Sequence, residues 1–578
     1  MMNLERIYTA DFETTTQVED CHVWAWSMTS VDDEYAQKFG TTIDQMMNVL
    51  SHPKYNYTIY FHNLKFDGEF LIHWLFDNGF THVTEKVQTR NGAMRTRALQ
   101  SKEFSTLIAD NGMFYCFEVC FERKGKKVNR VKIIDSLKIL NFSVEEVAEA
   151  FNLPLQKGRI DYEKPRPVGY EPTPEEWDYV GGDTKIMAMA LNGLFKEGLT
   201  KMTAGSNALS GFKGTLTKRQ FQYLFPVLPL EIDSYIRKSY KGGFCYVNPT
   251  YKGKDVGEGL VYDVNSMYPW VMREMELPCG VPVPFKGKYE HDPIYKLYVC
   301  HIRCMFELKP NMIPTIQVKK SRLFQETEWL KNSNGEDVDL YLTNIDLDLF
   351  LEHYNVYNIE YIDGMKFRTQ LGTFNQHIDY WMEQKNKAKK DGNATMKNIA
   401  KLMLNSLYGK FGTNPETAQK IPEKIDGIMH YKVSEKEFKE PIYIPLATFV
   451  TAYARARVID GAQAAGERFL YADTDSLHIL GTEELTGIDI DSYKLGAWDK
   501  ESVFEKARYL SQKTYIEYIY NKQGIPEPKC TCAGLPKTGR ALADWDTFRY
   551  GATFPGKLMP KHVVGGVVLI PEYFTIKY

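Results

Sequence analysis

The stretch Tyr471-Ala472-Asp473-Thr474-Asp475-Ser476 places two carboxylates two residues apart. Apolar residues precede it from Phe469 and follow it to Leu480, which predicts two short strands that meet at an acidic turn. Residues i and i+2 of an extended chain point the same way, so we expect Asp473 and Asp475 to face one spot, where a divalent cation relieves their repulsion. A plain surface turn and the DxD metal site of a nucleotide-sugar transferase remain open on this stretch alone.

The bulk properties place few limits on function. At 578 residues the chain is too long for one hydrophobic core, and 43% apolar and 25% charged residues are typical of a soluble globular protein. The longest late apolar run, Val563 to Ile570, is too short to cross a membrane, and the N-terminus has no apolar signal region, so we expect a cytosolic protein. Nine scattered cysteines lack zinc-site spacing, which predicts reduced thiols.

A net charge of −3 does not exclude nucleic acid as a partner, because only local basic surfaces are needed to neutralise phosphates. Each basic cluster is equally typical of a solvated face. The clusters are Lys124 to Lys127, Lys319 to Arg322, and Lys385 to Lys390.

A second acidic group lies near the N-terminus. The segment from Ile7 to Thr16 predicts a strand with Asp11 and Glu13 on one face, and a segment from Trp24 to Met28 is its expected hairpin partner. A further predicted strand, Tyr57 to Phe61, leads to Asp67 at the start of a helical pattern. Two roles are open for Asp67, a helix cap and a metal ligand.

The third acidic position near the N-terminus is Asp183. Pro174 suits a helix start, and Tyr179 and Asp183, four residues apart, share one face of the helix that follows. Gly181 and Gly182 are costly inside a helix, which predicts either a close approach of another segment or a bend.

These carboxylates make chemical sense as one group. Asp11, Glu13, Asp67 and Asp183 would hold two divalent ions around a phosphodiester, and Tyr179 would orient the attacking water. The ordered patterns D-x-E, N-x2-F-D and Y-x3-D resemble the three exonuclease motifs of family B proofreading DNA polymerases. Lys157 resembles a lysine that supports this chemistry in a narrower group, in which an acidic residue is expected at the position of Arg159; we assign Arg159 no metal role.

The acidic turn has candidate partners earlier in the chain. The apolar segment from Gly259 predicts a strand that ends in Asp263, a third ligand beside the turn, and the Val264 carbonyl is a further candidate ligand. A predicted helix between these strands ends at Gly409. One of its faces carries four residues suited to a nucleoside triphosphate, although an amphipathic helix with a wet lysine face fits the same pattern: Lys397, Lys401, Asn405 and Tyr408.

D-x2-S-L/M-Y-P, K-x3-N-S-x-Y-G and Y-x-D-T-D-S, in this order, resemble the polymerase motifs of family B. The resemblance implies that Asp263 and Asp475 are the principal metal ligands, with Asp473 in support, and that Tyr268 excludes a ribose 2′-OH. It further implies nucleotide contacts by Lys389 with the four helix residues. It implies DNA contacts by Thr14, His62, Asn63, Phe66, Phe70, Ser136, Leu137, Tyr240, Gly242, Gly243, Lys513 and Tyr515.

The short chain and two long segments between the motifs resemble the protein-primed branch found in small tailed bacteriophages, the phi-twenty-nine-like enzymes. The likeness covers essentially the whole chain, loosely from Glu85 to Gly125. It implies an α/β (α+β) multidomain fold with an RNase H-like 3′–5′ exonuclease domain and a right-hand polymerase. The implied boundaries are exonuclease 1–203, palm 204–274 and 446–533, first insertion 275–375, fingers 376–411, second insertion 412–445 and thumb 534–578.

The same resemblance implies the cofactors and partners. It predicts Mg²⁺, with Mn²⁺ as a substitute, at two ions per site, together with template and primer DNA and deoxynucleoside triphosphates. The first insertion would contact a terminal protein whose hydroxyl primes synthesis, and the second would help to close a ring around DNA. A monomer without membrane contact, in the cytoplasm of a bacterial host, is expected otherwise.

Three alternative functions differ in what they leave unexplained. A stand-alone 3′–5′ exonuclease does not need the lysine helix or the acidic turn. A metal-dependent nucleotidyl or glycosyl transferase explains the turn but not the N-terminal carboxylates. A non-catalytic DNA-binding scaffold has no use for two acidic groups, because unneutralised carboxylates repel phosphates.

Overall fold

The computed structural model describes residues 3–88, 94–318 and 328–577. Its fold is mixed α/β and multidomain, as predicted, with two eight-stranded sheets as its main layers. The basic cluster from Lys319 to Arg322 lies outside the described residues. Within those residues, no helix is long and apolar enough to cross a membrane.

The N-terminal sheet positions the first acidic group. Its three central strands are parallel to one another, and the outer strands pair antiparallel except for Thr81–His82, which pairs parallel with Glu103–Ile108. In spatial order the strands are Gln37–Gly40, Val23–Ser30, Leu4–Thr14, Tyr55–Phe61, Lys127–Asp135, Phe114–Lys124, Glu103–Ile108 and Thr81–His82. The helices of this region are Ile43–Leu50, Leu64–Asp77, Val144–Ala150 and Pro174–Lys196, with a 3₁₀ turn at Ser136–Lys138, and a small hairpin pairs Lys86–Gln88 with Met94–Thr96.

The local predictions for this sheet hold, with one correction. Asp11 pairs with Ser27 of the antiparallel neighbour, which confirms the hairpin. Thr173 caps the helix that begins at Pro174. Gly181 meets the predicted close approach, because a Cβ atom there would lie 3.0 Å from the Phe39 ring. The cap role for Asp67 is wrong: the helix begins at Leu64 after Asn63, and Asp67 lies in its first turn.

The central sheet carries the acidic turn. Its strands, in spatial order, are Phe244–Val247, Phe469–Thr474, Ser476–Leu480, Gly259–Val264, Trp498–Ser511, Thr514–Tyr520 and Pro526–Cys532, and Asp255–Val256 pairs with Trp498–Ser511. The helix Ile444–Ala465 is buried along most of its length and packs against this sheet. The other helices near it are Ala204–Gly214, Lys218–Leu224, Leu230–Arg237 and Met267–Glu274, with a 3₁₀ turn at Gly466–Arg468.

The segment predicted to be the first insertion folds around a core of its own. Its sheet runs in the order Leu277–Lys286, Tyr354–Gln370, Leu297–Leu308 and Val338–Thr343, beside the helix Asn344–His353 and a small hairpin of Ile316–Val318 and Glu328–Leu330.

Three helices and a set of hairpins complete the fold. The helices after the first insertion are Asn375–Lys390, Ala394–Asn405 and Tyr408–Phe411. The second insertion contains the hairpin Lys420–Ile425 and Ile428–Val433, and the pair Glu416–Thr417 and Glu437–Phe438. The C-terminal unit contains the helix Lys537–Ala541, the hairpin Met559–Val563 and Gly566–Ile570, and the pair Thr553–Pro555 and Tyr573–Thr575.

Candidate active sites: two acidic centres

The first centre forms where a strand and two helices meet. Asp11 and Glu13 lie on the strand Leu4–Thr14, Asp67 lies in the first turn of the neighbouring helix, and Asp183 lies on the long helix that packs across the sheet. The backbone N–H of Phe12 donates a hydrogen bond of 3.2 Å to Oδ1 of Asp67, which ties helix to strand. The four predicted carboxylates are therefore brought together.

The electrostatics show that these carboxylates share one field. Burial, and after it the charge of Asp183, raise the pKa of Asp11 to about 7 against the lowering effect of Lys157. Burial raises the pKa of Glu13 and of Asp67 well above the usual range, and the charge of Asp11 adds to both shifts. Buried groups that repel one another in this way are typical of a functional site.

Two residues beside this centre have defined contacts. Nζ of Lys157 lies 2.9 Å from Oδ2 of Asp183, whereas Oδ1 of Asp183 is buried and has no hydrogen-bond partner among the described residues. The hydroxyl of Tyr179 lies 2.6 Å from that of Tyr162, a partner that the motif pattern did not indicate. Lys157 therefore pairs with one oxygen of Asp183, while the other oxygen has no partner among the described residues.

A cavity of about 380 Å³ opens at this centre. Asp11 and Asp67 line it together with three of the predicted DNA-binding residues, namely His62, Asn63 and Phe66. Its opposite wall comes from the C-terminal hairpin and the residues before it, which contribute Leu558, Pro560, Val567 and Leu569. A volume of this size lies within the range of roughly 300–1,000 Å³ that is usual for small-ligand sites.

The other residues predicted here to contact DNA do not line the cavity. Ser136 is fully buried, and its hydroxyl lies 3.0 Å from Nδ1 of His62. Leu137 follows it in the 3₁₀ turn. Phe70 is buried against Phe66, and Thr14 ends its strand after a bulge. Ser136 and Phe70 therefore position cavity-lining residues rather than face the cavity themselves.

The second centre lies where three neighbouring interior strands of the central sheet come to an end. Asp263, near the end of its strand, pairs with Ser476, and the N–H of Val264 donates 2.9 Å to the carbonyl of Asp475. Thr474 has a φ of +65°, and Asp475 follows it in a two-residue turn. The expectation that Asp473 and Asp475 point the same way because the chain is extended is therefore wrong, since the turn at Thr474 gives each carboxylate different neighbours.

Asp473 has partners of its own. Nζ of Lys513 lies 2.5 Å from Oδ1 of Asp473, and the hydroxyl of Tyr471 donates to Oδ2 at 3.2 Å. The N–H of Lys513 donates to the same hydroxyl, at 2.9 Å. Tyr515 is mostly buried, with its ring centroid 5.0 Å from that of Tyr471. The Lys513–Tyr515 segment therefore packs against the acidic hairpin.

At this centre the carboxyl groups of Asp263 and Asp475 have raised pKa values. Burial raises the pKa of Asp263 to about 7, followed in effect by the charges of Asp475, Glu501 and Asp499. Burial raises the pKa of Asp475 to about 6, with Asp473 and Glu501 adding to the shift. Sequence reasoning missed Asp499 and Glu501, which lie two residues apart on the neighbouring strand. Their position becomes clear only from the pairing of Asp263 with Asp499.

The donor set at both centres fits divalent cations, although the carboxylates are not in coordination contact. Among residues 3–88, 94–318 and 328–577, no three His, Cys, Asp or Glu side chains lie close enough to form a metal-binding group. Yet both centres bring together several carboxylates whose charges repel one another, and Oδ1 of Asp183 lacks a partner within this described part. Oxygen ligands of this kind are those that Mg²⁺ and Mn²⁺ prefer.

Tyr268 and Tyr408 stack beside the second centre, with ring centroids 4.1 Å apart and an interplanar angle of 24°. Burial raises the pKa of both hydroxyls, and the charge of Asp475 raises both as well. The single predicted helix is wrong here: it ends at Asn405, which is exposed, and Tyr408 begins a separate short helix that includes Gly409. The break at Ser406–Leu407 turns Tyr408 toward Tyr268.

A group of lysines faces Asp263 across the site. Nζ of Lys385 donates 3.2 Å to Oγ of Ser266, and burial lowers the pKa of Lys385, with Lys401, Lys389 and Lys397 lowering it further and Asp263 raising it. The predicted Lys389 instead places its ammonium 5.2 Å from the centre of the Tyr493 ring. Sequence reasoning missed Lys385, because a lysine-rich run does not show which member points inward.

The Tyr240–Gly243 segment lies against the acidic hairpin. A Cβ atom at Gly243 would lie 3.3 Å from Cα of Thr474, so this glycine permits a close approach. The guanidinium of Arg455 donates to the carbonyl of Gly242 at 2.9 Å, and it forms a buried ion pair with Asp346 of the first insertion. Tyr240 packs against Gly412. Gly243 therefore serves protein packing, beyond the predicted approach to phosphates.

The sequence and fold are similar to those of known phage enzymes. Residues 50–492 match the family of DNA polymerase type B, organellar and viral. The chain is 45% identical to the DNA polymerase of Bacillus phage B103, over 99% of this chain and 100% of that protein, and 44% identical to that of Bacillus phage phi29, over 99% of each.

Two solved structures of the phi29 DNA polymerase have the same fold. The orthorhombic crystal form matches with a TM-score of 0.92 and 42% identity, over 99% of this chain and 100% of that one. The complex with primer-template DNA and incoming nucleotide substrates matches with a TM-score of 0.90 and 43% identity, over the same shares.

Proposed function

Because the chain belongs to the organellar and viral type B DNA polymerases, and among them resembles the phi29-like phage enzymes, we propose that its two acidic centres build and trim DNA separately. DNA-directed DNA synthesis follows from the family. The further claim is a 3′–5′ exonuclease at the first centre. The observation that supports it is the electrostatic coupling among Asp11, Glu13, Asp67 and Asp183, of which Asp11 and Asp67 line the cavity, far in sequence from Asp263 and Asp475.

At the second centre, Asp263 and Asp475 would hold divalent ions, with the Val264 carbonyl as a further ligand. Such ions supply charge neutralisation for the triphosphate and for the attacking 3′ oxygen. Lys385, Lys397 and Lys401 would neutralise phosphates from the opposite side, with Lys389 and Asn405 more peripheral. Lys513 would keep Asp473 paired and thereby limit the charge at the centre.

The stacked tyrosines would define the nucleotide pocket. The Tyr268 ring, held against Tyr408, would occupy the space that a ribose 2′-OH requires, and Tyr408 would pack on the new base pair. Tyr240, Gly242, Gly243 and Tyr515 would contact the primer and template. These roles support deoxyribonucleotides as substrates.

At the first centre, the four carboxylates would hold two ions around the terminal phosphodiester. Tyr179 would orient water, and Lys157, which lies 2.9 Å from Asp183, would stabilise developing charge on the phosphate. His62, Asn63 and Phe66 would line the path of the 3′ end, with Phe70, Ser136 and Leu137 behind them and Thr14 at the strand end.

The remaining predicted features belong to the same proposal. We assign Mg²⁺, with Mn²⁺ as a substitute, to both centres. Residues 1–203 would act as the exonuclease, 204–274 and 446–533 as the palm, 376–411 as the fingers and 534–578 as the thumb. The first insertion, 275–375, would contact a terminal protein primer, and the second, 412–445, would help to enclose DNA. A monomer in the host cytoplasm is sufficient for these activities.

A primer with a mismatched 3′ end tests the two activities together. With Mg²⁺ and all four deoxynucleotides, the protein should first shorten this primer and then extend it. Without nucleotides it should only shorten it, and removal of the metal with a chelator should stop both reactions. Extension of the mismatched end without any shortening would contradict the exonuclease assignment.

Terminal protein priming needs a separate test. With the cognate terminal protein, a labelled deoxynucleotide and no DNA primer, the label should become bound covalently to that protein. Absence of label under conditions in which a DNA primer is extended would contradict protein priming while leaving DNA synthesis intact.

A further inference from the structure

The helix Leu64–Asp77 carries a buried carboxylate that two distant hairpins share. Glu69 is only 3% exposed. The hydroxyl of Tyr431, in the second insertion, donates to its Oε2 at 2.7 Å, and Nε2 of His562, in the C-terminal hairpin, lies 3.3 Å from its Oε1. Each carboxylate oxygen therefore holds a different hairpin.

One helical turn further along, His73 meets the same two hairpins. The N–H of Gly565, at the turn of the C-terminal hairpin, donates to Nε2 of His73 at 3.1 Å, and the carbonyl of Gly427, at the turn of the other hairpin, lies 3.1 Å from the same nitrogen. Asp77 lies 2.9 Å from Nδ1 of His73 and also pairs with Lys424 of the second insertion. The junction thus spans two turns of one helix.

The hairpins also touch each other. The rings of Tyr431 and His562 have centroids 5.7 Å apart, and a Cβ atom at Gly427 would lie 3.4 Å from Val564. Met429 and Val567 belong to the same hydrophobic core as the helix Leu64–Asp77, called the exonuclease helix below. Three segments that are far apart in sequence therefore share one interior.

This meeting point closes a ring of contacts within the protein. The second insertion begins after the short helix that ends at Phe411 and returns at Ile444, whereas the C-terminal unit begins after the strand Pro526–Cys532. The second insertion therefore leaves from a helix, the C-terminal unit leaves from the central sheet, and the two meet at the helix Leu64–Asp77. Contacts therefore run from the central sheet through both hairpins and back.

We propose that Glu69 is the positioning residue that keeps this ring of contacts closed. It would determine how long the enzyme stays on DNA rather than how fast it adds one nucleotide. The inference rests on the proposed function and names the residue that keeps the two hairpins joined to the helix Leu64–Asp77. A carboxylate suits this role because its two oxygens accept from both hairpins at once, whereas an apolar residue would leave the Tyr431 hydroxyl buried and unpaired.

The test measures the number of nucleotides added per binding event. The protein is bound to a labelled primer on single-stranded circular DNA, and nucleotides are added together with excess unlabelled primed DNA, so that each molecule acts once. Glu69→Ala should shorten the products by about tenfold, Tyr431→Phe and His562→Ala each by a few-fold, and Glu69→Gln less than Glu69→Ala because it still accepts from Tyr431. Addition of a single nucleotide with enzyme in excess should stay within about twofold of the wild type.

Asn78→Ala is the matched control, since Asn78 ends the same helix and, among the described residues, its side-chain amide donates only to the carbonyl of Trp74. It should leave product length unchanged. Wild-type product lengths in Glu69→Ala, Tyr431→Phe and His562→Ala would contradict the proposed role of Glu69. If Glu69→Ala also loses single-nucleotide addition, the two hairpin variants decide, because they leave the exonuclease helix intact. A wild-type protein that extends no primer would instead refute the proposed function.

Discussion

Lys513 and Asp473 form an ion pair of 2.5 Å at the base of the acidic hairpin, so one of the two carboxylates in the turn already carries its own counterion. Asp475, two residues later, has its pKa raised to about 6, by burial above all. We therefore propose different roles for the two aspartates: Asp475 would bind a cation, and Asp473 would link the hairpin to Lys513.

This difference predicts unequal losses of activity. Asp475→Ala should lower the rate of nucleotide addition by about a thousandfold or more, since it removes a proposed metal ligand, whereas Lys513→Ala should lower it by roughly tenfold to a hundredfold through misplacement of the hairpin. Rapid-quench measurement of a single addition checks both values. Equal losses in the two variants would show that Lys513 acts directly in the reaction.

Lys385 is expected to contribute more to nucleotide binding than Lys389. Lys385 reaches Ser266 beside Asp263, while Lys389 lies over Tyr493. Lys385→Ala should raise the KM for deoxynucleotides by about tenfold or more, and Lys389→Ala by only about twofold. Steady-state kinetics on a primed template compares the two, and a larger effect of Lys389→Ala would reverse the assignment.

The stacked tyrosines predict sugar selectivity. Tyr268→Val removes the ring that lies 4.1 Å from that of Tyr408, so the preference for deoxyribonucleotides over ribonucleotides should fall by roughly a hundredfold. Tyr408→Phe keeps the stack and should retain most of that preference. The ratio of kcat/KM values for the two sugars is the measurement; an unchanged ratio in Tyr268→Val would exclude Tyr268 as the selecting residue.

The raised carboxyl pKa values predict how metal binding stabilises the fold. Asp11 and Asp263 have pKa values of about 7, above those of the unfolded chain, so the metal-free folded protein retains protons that the unfolded chain releases. Its stability should fall as the pH rises from about 4 to about 7, and the charged, unpaired carboxylates should cost most above that range.

Magnesium should offset this cost only where the carboxylates are charged. The rise in Tm on addition of Mg²⁺ should therefore be larger at about pH 8 than at about pH 5.5. Thermal unfolding at both values, with and without the ion, measures it. The combined Asp11→Asn and Asp263→Asn variant is the control and should lose most of the difference; an equal shift at both pH values in the wild type would contradict the assignment.

Much of both centres was predictable because most of these carboxylates lie in or next to an apolar strand pattern or within a clear helical pattern. Asp11, Glu13 and Asp263 are identified by such local patterns, and the structure brings them together with the expected partners. The order of the motifs along the chain also predicted the fold class.

The features that local patterns did not predict depend on non-local packing. The left-handed Thr474 arises from a two-residue turn that periodicity treats as extended chain, and the helix break before Tyr408 comes with the Tyr268 stack. The inward position of Lys385 depends on which face of its helix meets Ser266. Glu69 looks like an ordinary helix residue in the sequence, because both of its partners lie more than 350 positions away.

The central claim is that DNA is built at one centre and trimmed at the other. Its most direct test is a pair of variants on a primed template with Mg²⁺: Asp475→Ala should abolish extension and keep primer degradation, while Asp11→Ala with Glu13→Ala should abolish degradation and keep extension. If either variant, still folded, lost both activities, the two-centre account would be wrong.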